Sequence, residues 1–195
     1  INKNVDLFVF KIFDDSLVQK EQVLILVLKY ILESNISDAI IHMSFGINYY
    51  NKQIYELLKE IYSNNNLIVS AYDNMGCISY PAVFDFTIGV ESSELCTKPS
   101  DFFIPENAII DVFSKGGIHK VVDIHNKYVL KTGNSLSAAY VSAYLSFMGG
   151  VLNKKKALEY LNKVSTYMNE QTNGYEFNIK SYDAFNNLSS IKKVA

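Results

Sequence analysis

The sequence contains no tryptophan and no arginine, so all 18 of its basic residues are lysine. With a formal net charge of −2, it has neither the basic excess nor the forked guanidinium groups that nucleic-acid recognition commonly uses. We therefore expect no nucleic-acid partner. Its longest uncharged stretch, residues 132–153, is interrupted by asparagine, serine and glycine, whereas a membrane span needs about 18 or more consecutive apolar residues. No membrane span is predicted.

Cysteine is also scarce, and neither Cys77 nor Cys96 has a CxxC spacing or a histidine close to it in sequence. The pattern therefore predicts neither a zinc site nor a disulfide framework, and we expect no metal or other cofactor. The 195 residues, 49% of them hydrophobic, suit one globular domain with a sizeable core.

Apolar strands alternate with helices in the first half of the chain. We predict strands at residues 5–13, 38–45 and 67–71, with helices over residues 16–32 and 52–62 between them. This alternation indicates an α/β fold of three layers, in which helices cover both faces of a mostly parallel sheet. A ligand of such a sheet is expected beyond the carboxyl ends of the strands.

The second half is less regular. Its pattern predicts strands at residues 85–90 and 108–113, and a hairpin or loop at residues 120–130. An uncharged helix over residues 135–148, expected to be buried nearly all round, and an amphipathic helix over residues 154–168 follow.

Two polar segments follow apolar runs, namely residues 71–76 (AYDNMG) and residues 131–137 (KTGNSLS). Ser135, in the first turn of a predicted helix, is suited to act as a nucleophile near the positive end of the helix dipole. Serine is equally a preferred helix N-cap, so the residues alone leave both interpretations open.

Five segments in order resemble the subtilisin-like serine proteases. Residues 41–46 (IHMSFG) are similar to that family's N-M-S-L-G strand end, and residues 69–76 (VSAYDNMG) are similar to its A-A-A-G-N-x-G segment. Residues 80–82 and 88–90 resemble Y-P-A and I-A-V. Residues 133–143 (GNSLSAAYVSA) resemble the nucleophile motif G-T-S-M-A-x-P-H-V-A-G, and residues 178–184 (NIKSYDA) resemble V-N-A-x-x-A. The resemblance implies a subtilisin-like α/β fold and a serine endopeptidase acting on peptide or protein substrates.

The resemblance assigns roles to named residues. Ser135 would be the nucleophile, and the Asn74 side chain with the backbone N–H of Ser135 would form the oxyanion hole. The implied substrate-binding residues are Ser44, Phe45 and Gly46, as an edge strand that pairs with extended substrate, and Ala71, Tyr72 and Asp73, as the pocket for the residue before the cut.

The catalytic aspartate and histidine of the family lie in upstream motifs that do not occur here. Residues 1–195 would therefore be a partial peptidase domain without its N-terminal strands, completed by an upstream segment or a complementing chain. We interpret His42, His119 and His125 as core or surface histidines. The resemblance implies a secreted or cell-surface protein.

Departures from the family pattern favour a second hypothesis, an inactive pseudo-protease that binds peptides or regulates. Asn134 replaces threonine, Ala139 replaces proline, Tyr140 replaces histidine and Asp73 replaces glycine. The Asp73 carboxylate would either oppose the oxyanion or favour a basic substrate residue. In a third hypothesis the chain is an unrelated α/β domain in which Ser135 is only a cap.

We predict that the isolated 195-residue chain does not fold stably alone, because the missing strands would leave an apolar sheet edge unpaired. The measurement is thermal unfolding of the isolated chain together with its sedimentation. A cooperative transition from a monomer would contradict the prediction.

Overall fold

A five-stranded sheet lies at the centre of the structure, a computed structural model that describes residues 1–13, 21–123 and 125–167. Its strands are β1 (Ile40–Met43), β2 (Leu67–Ala71), β3 (Thr87–Ser93), β4 (Phe102–Phe103) and β5 (Val112–Lys115). The other elements are the hairpin strands β6 (His119–Val122) and β7 (Tyr128–Lys131) and the helices α1 (Glu21–Glu33), α2 (Lys52–Ser63), α3 (Asn134–Leu145) and α4 (Lys154–Val164).

The strand order is β1-β2-β3-β5-β4, and every pair is parallel except β4 with β5. Ile40 lies opposite Leu67, and Ile68 lies opposite Thr87, so β2 is paired along both edges. All five residues of β2 are buried, as expected for a central parallel strand covered on both faces. The predicted α/β class is confirmed.

Helices cover the two faces of the sheet. Alternation along β2 sends Leu67 and Val69 into a core with α3 and α4, whereas Ile68 packs with α1 and α2 on the other face. Leu28 of α1 and Leu58 of α2 are almost fully buried there. The chain therefore has three layers, and α3 lies on the face opposite α1 and α2.

Asparagines set the ends of the helices. The Asn51 side chain accepts a hydrogen bond from the N–H of Ile54 and caps α2, and Asn153 caps α4 through the N–H of Lys156. Asn65, with φ at 60°, turns the chain after α2. Buried Asn66 then binds the carbonyls of Ile36 and Ile61, each at 2.9 Å, which fixes the turn before β2.

The strand predicted at residues 5–13 is wrong. No strand forms there, and Leu7, Phe8 and Val9 are 76–82% exposed. The residue types of this segment favour a strand, but a strand also requires a neighbouring strand for its backbone hydrogen bonds. Within the described residues β1 pairs with β2 alone, so its other edge carries no strand.

Helix α3 also differs from its prediction. It ends at Leu145 and buries one face, formed by Ser137, Ala138, Val141 and Leu145, while Ala139 is exposed. Small residues make the sequence of this helix uniformly uncharged, but only one side of the helix meets the sheet.

The remaining boundaries shift by a few residues. Of the hairpin or loop predicted at residues 120–130, the structure shows the hairpin, β6 and β7. The two-residue strand β4 was missed because so short a run has no periodicity. Residues 16–20 of the first predicted helix and the family-like segment 178–184 lie outside the described residues. Across the ranges described, no helix is both long and apolar enough to cross a membrane.

Candidate active site at the carboxyl ends of the strands

Helix α3 begins at the carboxyl edge of the sheet, directly after Gly133. The φ of Gly133 is 138°, in the region that favours glycine, and this residue occupies the N-cap position without a side-chain cap bond. The Ser135 hydroxyl instead donates to the carbonyl oxygen of Ser44 at 2.9 Å. The interpretation of Ser135 as a helix cap is therefore wrong.

Asn134 is the first residue of α3, and its buried carboxamide connects three segments. Its Oδ1 accepts from the N–H of Ser92 at 2.9 Å, and its Nδ2 donates to the carbonyls of Tyr72 and Asp73 at 3.2 and 3.1 Å. Threonine could not make this set of contacts, because its hydroxyl supplies a single proton. In the sequence Asn134 stands out only as a departure from the family pattern, and nothing there signals this positioning role.

Asn74 lies beside the start of α3. Its Oδ1 accepts from the backbone N–H of Asn134 at 2.9 Å, and a Cβ added to Gly133 would lie 3.4 Å from the same oxygen. In the described part of the chain, neither Nδ2 of Asn74 nor the backbone N–H of Ser135 has a hydrogen-bond partner. The structure thus brings Asn74 and Ser135 together, although they are far apart in sequence.

Ser44 and Ser135 form a reciprocal pair. The Ser44 hydroxyl donates to the carbonyl of Ser135 at 3.2 Å, in return for the bond from the Ser135 hydroxyl. His42 lies next to this pair, with Nε2 2.5 Å from Oγ of Ser44 and Nδ1 2.8 Å from Oγ of Ser142. Since Ser44 uses its proton on Ser135, a neutral His42 donates from Nε2 and accepts from Ser142 at Nδ1.

None of the described histidines hydrogen-bonds to the hydroxyl of Ser135. His42 belongs to β1, which is an edge strand among the described residues, and its side chain is accessible. Protein around the ring still removes water from it and lowers its pKa below 6.5. His119 is buried against Tyr140, and His125 lies in the exposed turn between β6 and β7.

The residues predicted to bind substrate fall into two groups. Gly46 is exposed, and its backbone N–H and C=O make no hydrogen bond to the described residues, whereas the Ser44 carbonyl is already bound to Ser135. Phe45 packs edge-on against Phe13 with ring centroids 5.5 Å apart. Residues 44–46 extend beyond the end of β1 and are not part of a strand.

Ala71, Tyr72 and Asp73 were predicted to line a pocket. The side chains of Ala71 and Tyr72 are buried, and the Tyr72 hydroxyl donates to the carbonyl of Ile109 at 2.8 Å. Burial raises the pKa of Tyr72 far above its usual value, so this phenol stays protonated. Asp73 alone of the three lines a cavity beside Gly46.

The described site combines N–H donors with a hydroxyl but contains no base for that hydroxyl. Two unpaired N–H donors, on Asn74 and at the first turn of α3, are suited to stabilise negative charge on an oxygen. A hydroxyl lies beside them, but no described residue is placed to take its proton. Among the described residues, no group of histidine, cysteine or carboxylate side chains could hold a metal ion.

Comparison with known proteins yields no matching family model and no matching curated protein. Solved structures do match. The chain superposes on a cold-adapted subtilisin-like serine proteinase with a TM-score of 0.62, on sphericase with 0.63, and on the prenylagaramide maturation protease PagA with 0.54. The sequence identities are 16%, 17% and 14%.

These comparisons define the fold: the chain has the α/β fold of the subtilisin-like serine proteases. The matched regions cover 78%, 82% and 87% of this chain, in the order proteinase, sphericase and PagA. They cover only 57%, 60% and 63% of those proteins, so the chain spans less than two thirds of their length. The resemblance read from the sequence is confirmed at the level of the fold.

Replacing Asn134 tests its positioning role. We expect Asn134→Ala to lower the free energy of unfolding by about 1–3 kcal/mol, because it leaves buried backbone groups of Ser92 and Tyr72 unpaired. The measurement is urea denaturation of the natural protein. Asn48→Ala, at an exposed residue whose side chain makes no hydrogen bond to the described residues, is the matched control and should change stability by less than about 0.5 kcal/mol. Equal midpoints for the two variants would contradict the role.

We expect the pKa of His42 in the folded protein to lie below 6.5. Its pKa is lowered by desolvation in the folded protein, so below pH 6.5 the unfolded state binds more protons and the free energy of unfolding falls. The free energy of unfolding falls as the pH is lowered from 6.5 to the pKa of His42 in the folded protein. Above pH 6.5, His42 contributes no pH dependence to stability. NMR titration of the ring protons measures the folded pKa, and His42→Gln should flatten the stability profile in that window. A midpoint at or above 6.5 would contradict the expected shift.

Proposed function

We propose that this chain is part of a subtilisin-type serine endopeptidase domain and carries its nucleophile, Ser135, and its oxyanion hole. One observation carries the proposal: the carboxamide of Asn74 and the first turn of α3 meet, each with an N–H donor that has no described partner. The match of fold to known serine proteases supports it.

The chemistry would be acyl transfer. The Ser135 oxygen attacks a peptide carbonyl, and the carbonyl oxygen becomes negatively charged in the tetrahedral intermediate. Nδ2 of Asn74 and the N–H of Ser135 would donate to that oxygen without reorganising, because the Asn74 carboxamide is already held by its Oδ1. The amine then leaves, and water hydrolyses the acyl-enzyme.

Substrate would bind in an extended conformation next to residues 44–46. Gly46 offers a backbone N–H and C=O that are exposed and unpaired in the described part of the protein. Main-chain hydrogen bonds of this kind add a peptide as an extra strand and give affinity that does not depend on its sequence. Selectivity would then come from side-chain cavities next to it.

The general base must come from outside the described residues. The family resemblance implies a histidine oriented by an aspartate, supplied by an upstream segment or a complementing chain. In the described part of the chain β1 has a free edge, and Leu7, Phe8 and Val9 are exposed; both are features that additional protein would cover. Reaction would require the Ser135 hydroxyl to leave Ser44 and donate to that histidine.

A second candidate function is an inactive pseudo-protease that binds peptides. It is favoured by the hydrogen bond from the Ser135 hydroxyl to a backbone carbonyl, because a carbonyl is too weak a base to take the proton of the hydroxyl. The carboxylate of Asp73, next in sequence to Asn74, also favours this candidate, because its negative charge would oppose an oxyanion. Both candidates use the same peptide-binding surface and differ in whether Ser135 reacts.

Labelling of the natural protein with a fluorophosphonate distinguishes the two functions. We expect modification of Ser135 and none in Ser135→Ala, with peptide hydrolysis lost in the same variant. Asn74→Ala should keep the protein folded and lower kcat by about 10²–10³, the usual cost of removing one oxyanion donor.

The control is Ser63→Ala. This exposed serine lies at the end of α2, just before β2 begins, and therefore away from the carboxyl ends of the strands. It should label and hydrolyse like the unaltered protein. A folded protein that binds peptide but whose Ser135 stays unlabelled would contradict the endopeptidase and favour the pseudo-protease.

A further inference from the structure

A cavity of about 490 Å³ lies between the segment after β1 and the segment after β2. Its polar part is formed by residues such as Asp73, Asn48 and Ser79, and its walls include apolar side chains such as Ile78 and Met75. Asp73 is the only charged side chain among the described residues that line it. The cavity thus combines apolar walls with one negative charge.

The Asp73 carboxylate is held in place but not neutralised. Its Oδ1 accepts from the backbone N–H of Met75 at 2.7 Å, and its Oδ2 has no hydrogen-bond partner among the described residues. No lysine lines the cavity in the described part of the chain. One carboxylate oxygen is therefore available to a cation that enters.

Ser79 supplies a second polar group to the same cavity. The residue is only 1% exposed, and its hydroxyl oxygen has no hydrogen-bond partner in the described structure. A buried hydroxyl without a partner costs free energy, so a ligand that hydrogen-bonds to it gains the corresponding amount. Gly46 leaves space for this hydroxyl, because a Cβ at Gly46 would lie 1.8 Å from it.

We propose that this cavity binds a basic side chain, lysine or arginine, of the peptide substrate, at the residue before the bond to be cut. The inference rests on the proposed function for the position of that bond. The aliphatic stem of a lysine or arginine suits the apolar walls, and its charged end suits the free oxygen of Asp73 and the hydroxyl of Ser79. Asp73 is thereby a specificity-determining residue and not a defect of the oxyanion hole.

The test uses three fluorogenic peptides that differ only in the residue before the cut: lysine, norleucine or glutamate. Norleucine keeps the stem of lysine and removes the charge. With the natural protein we expect kcat/KM for lysine to exceed that for norleucine by about tenfold or more, as for a hydrogen bond to a charged group. Glutamate should be cleaved least.

Asp73→Asn is the decisive variant, because its amide oxygen still accepts from Met75 and so preserves the loop. It should bring the lysine-to-norleucine ratio close to one, and Asp73→Lys should reverse the order of lysine and glutamate. Asp85→Asn is the matched control and should leave the ratios unchanged. Its exposed carboxylate lies just before β3 begins, away from the carboxyl ends of the strands.

Binding to Ser135→Ala separates this inference from the proposed function. Fluorescence anisotropy of the same three peptides reports selectivity without cleavage. If Ser135 does not label but the variant still prefers lysine through Asp73, the endopeptidase is contradicted and the basic pocket stands. Equal affinity for lysine and norleucine, an unchanged ratio in Asp73→Asn, or no binding of any peptide would overturn the basic pocket.

Discussion

One hydrogen bond, from the backbone N–H of Asn134 to Oδ1 of Asn74, joins the end of β2 to the start of α3. It uses a donor that every helix start leaves unpaired, and it holds the carboxamide of Asn74 at that helix end. The side chain of Asn134 extends the same connection to β3 through Ser92. The relative position of the two N–H donors that have no described partner depends on this junction.

The junction stabilises the site but does not activate it. The hydroxyl of Ser135 is bound to the carbonyl of Ser44, and His42 is committed to Ser44 and Ser142. These side-chain hydrogen bonds connect β1 and the segment after it to α3. Chemistry at Ser135 requires a competing acceptor, which is why the proposed function places the base outside the described residues.

Much of the fold could be predicted because burial acts on local sequence. The strand at Leu67–Ala71 was predicted, since a strand covered on both faces is mostly apolar and Asn64–66 end the preceding helix. Residues 5–13 have a similar apolar composition but form no strand, because strand pairing depends on a neighbouring strand and not on composition. The contacts of Asn134 could not be predicted either, since its partners Ser92 and Asp73 become adjacent only in the folded sheet.

The contacts that hold the junction end almost entirely on main-chain atoms: the N–H of Ser92, and the carbonyls of Tyr72, Asp73 and Ser44. Main-chain atoms are the same in every residue, so the side chains at those positions can be exchanged without moving the geometry. A junction built in this way places few demands on the side chains at its receiving positions. New selectivity can arise at such positions while the surrounding framework stays fixed.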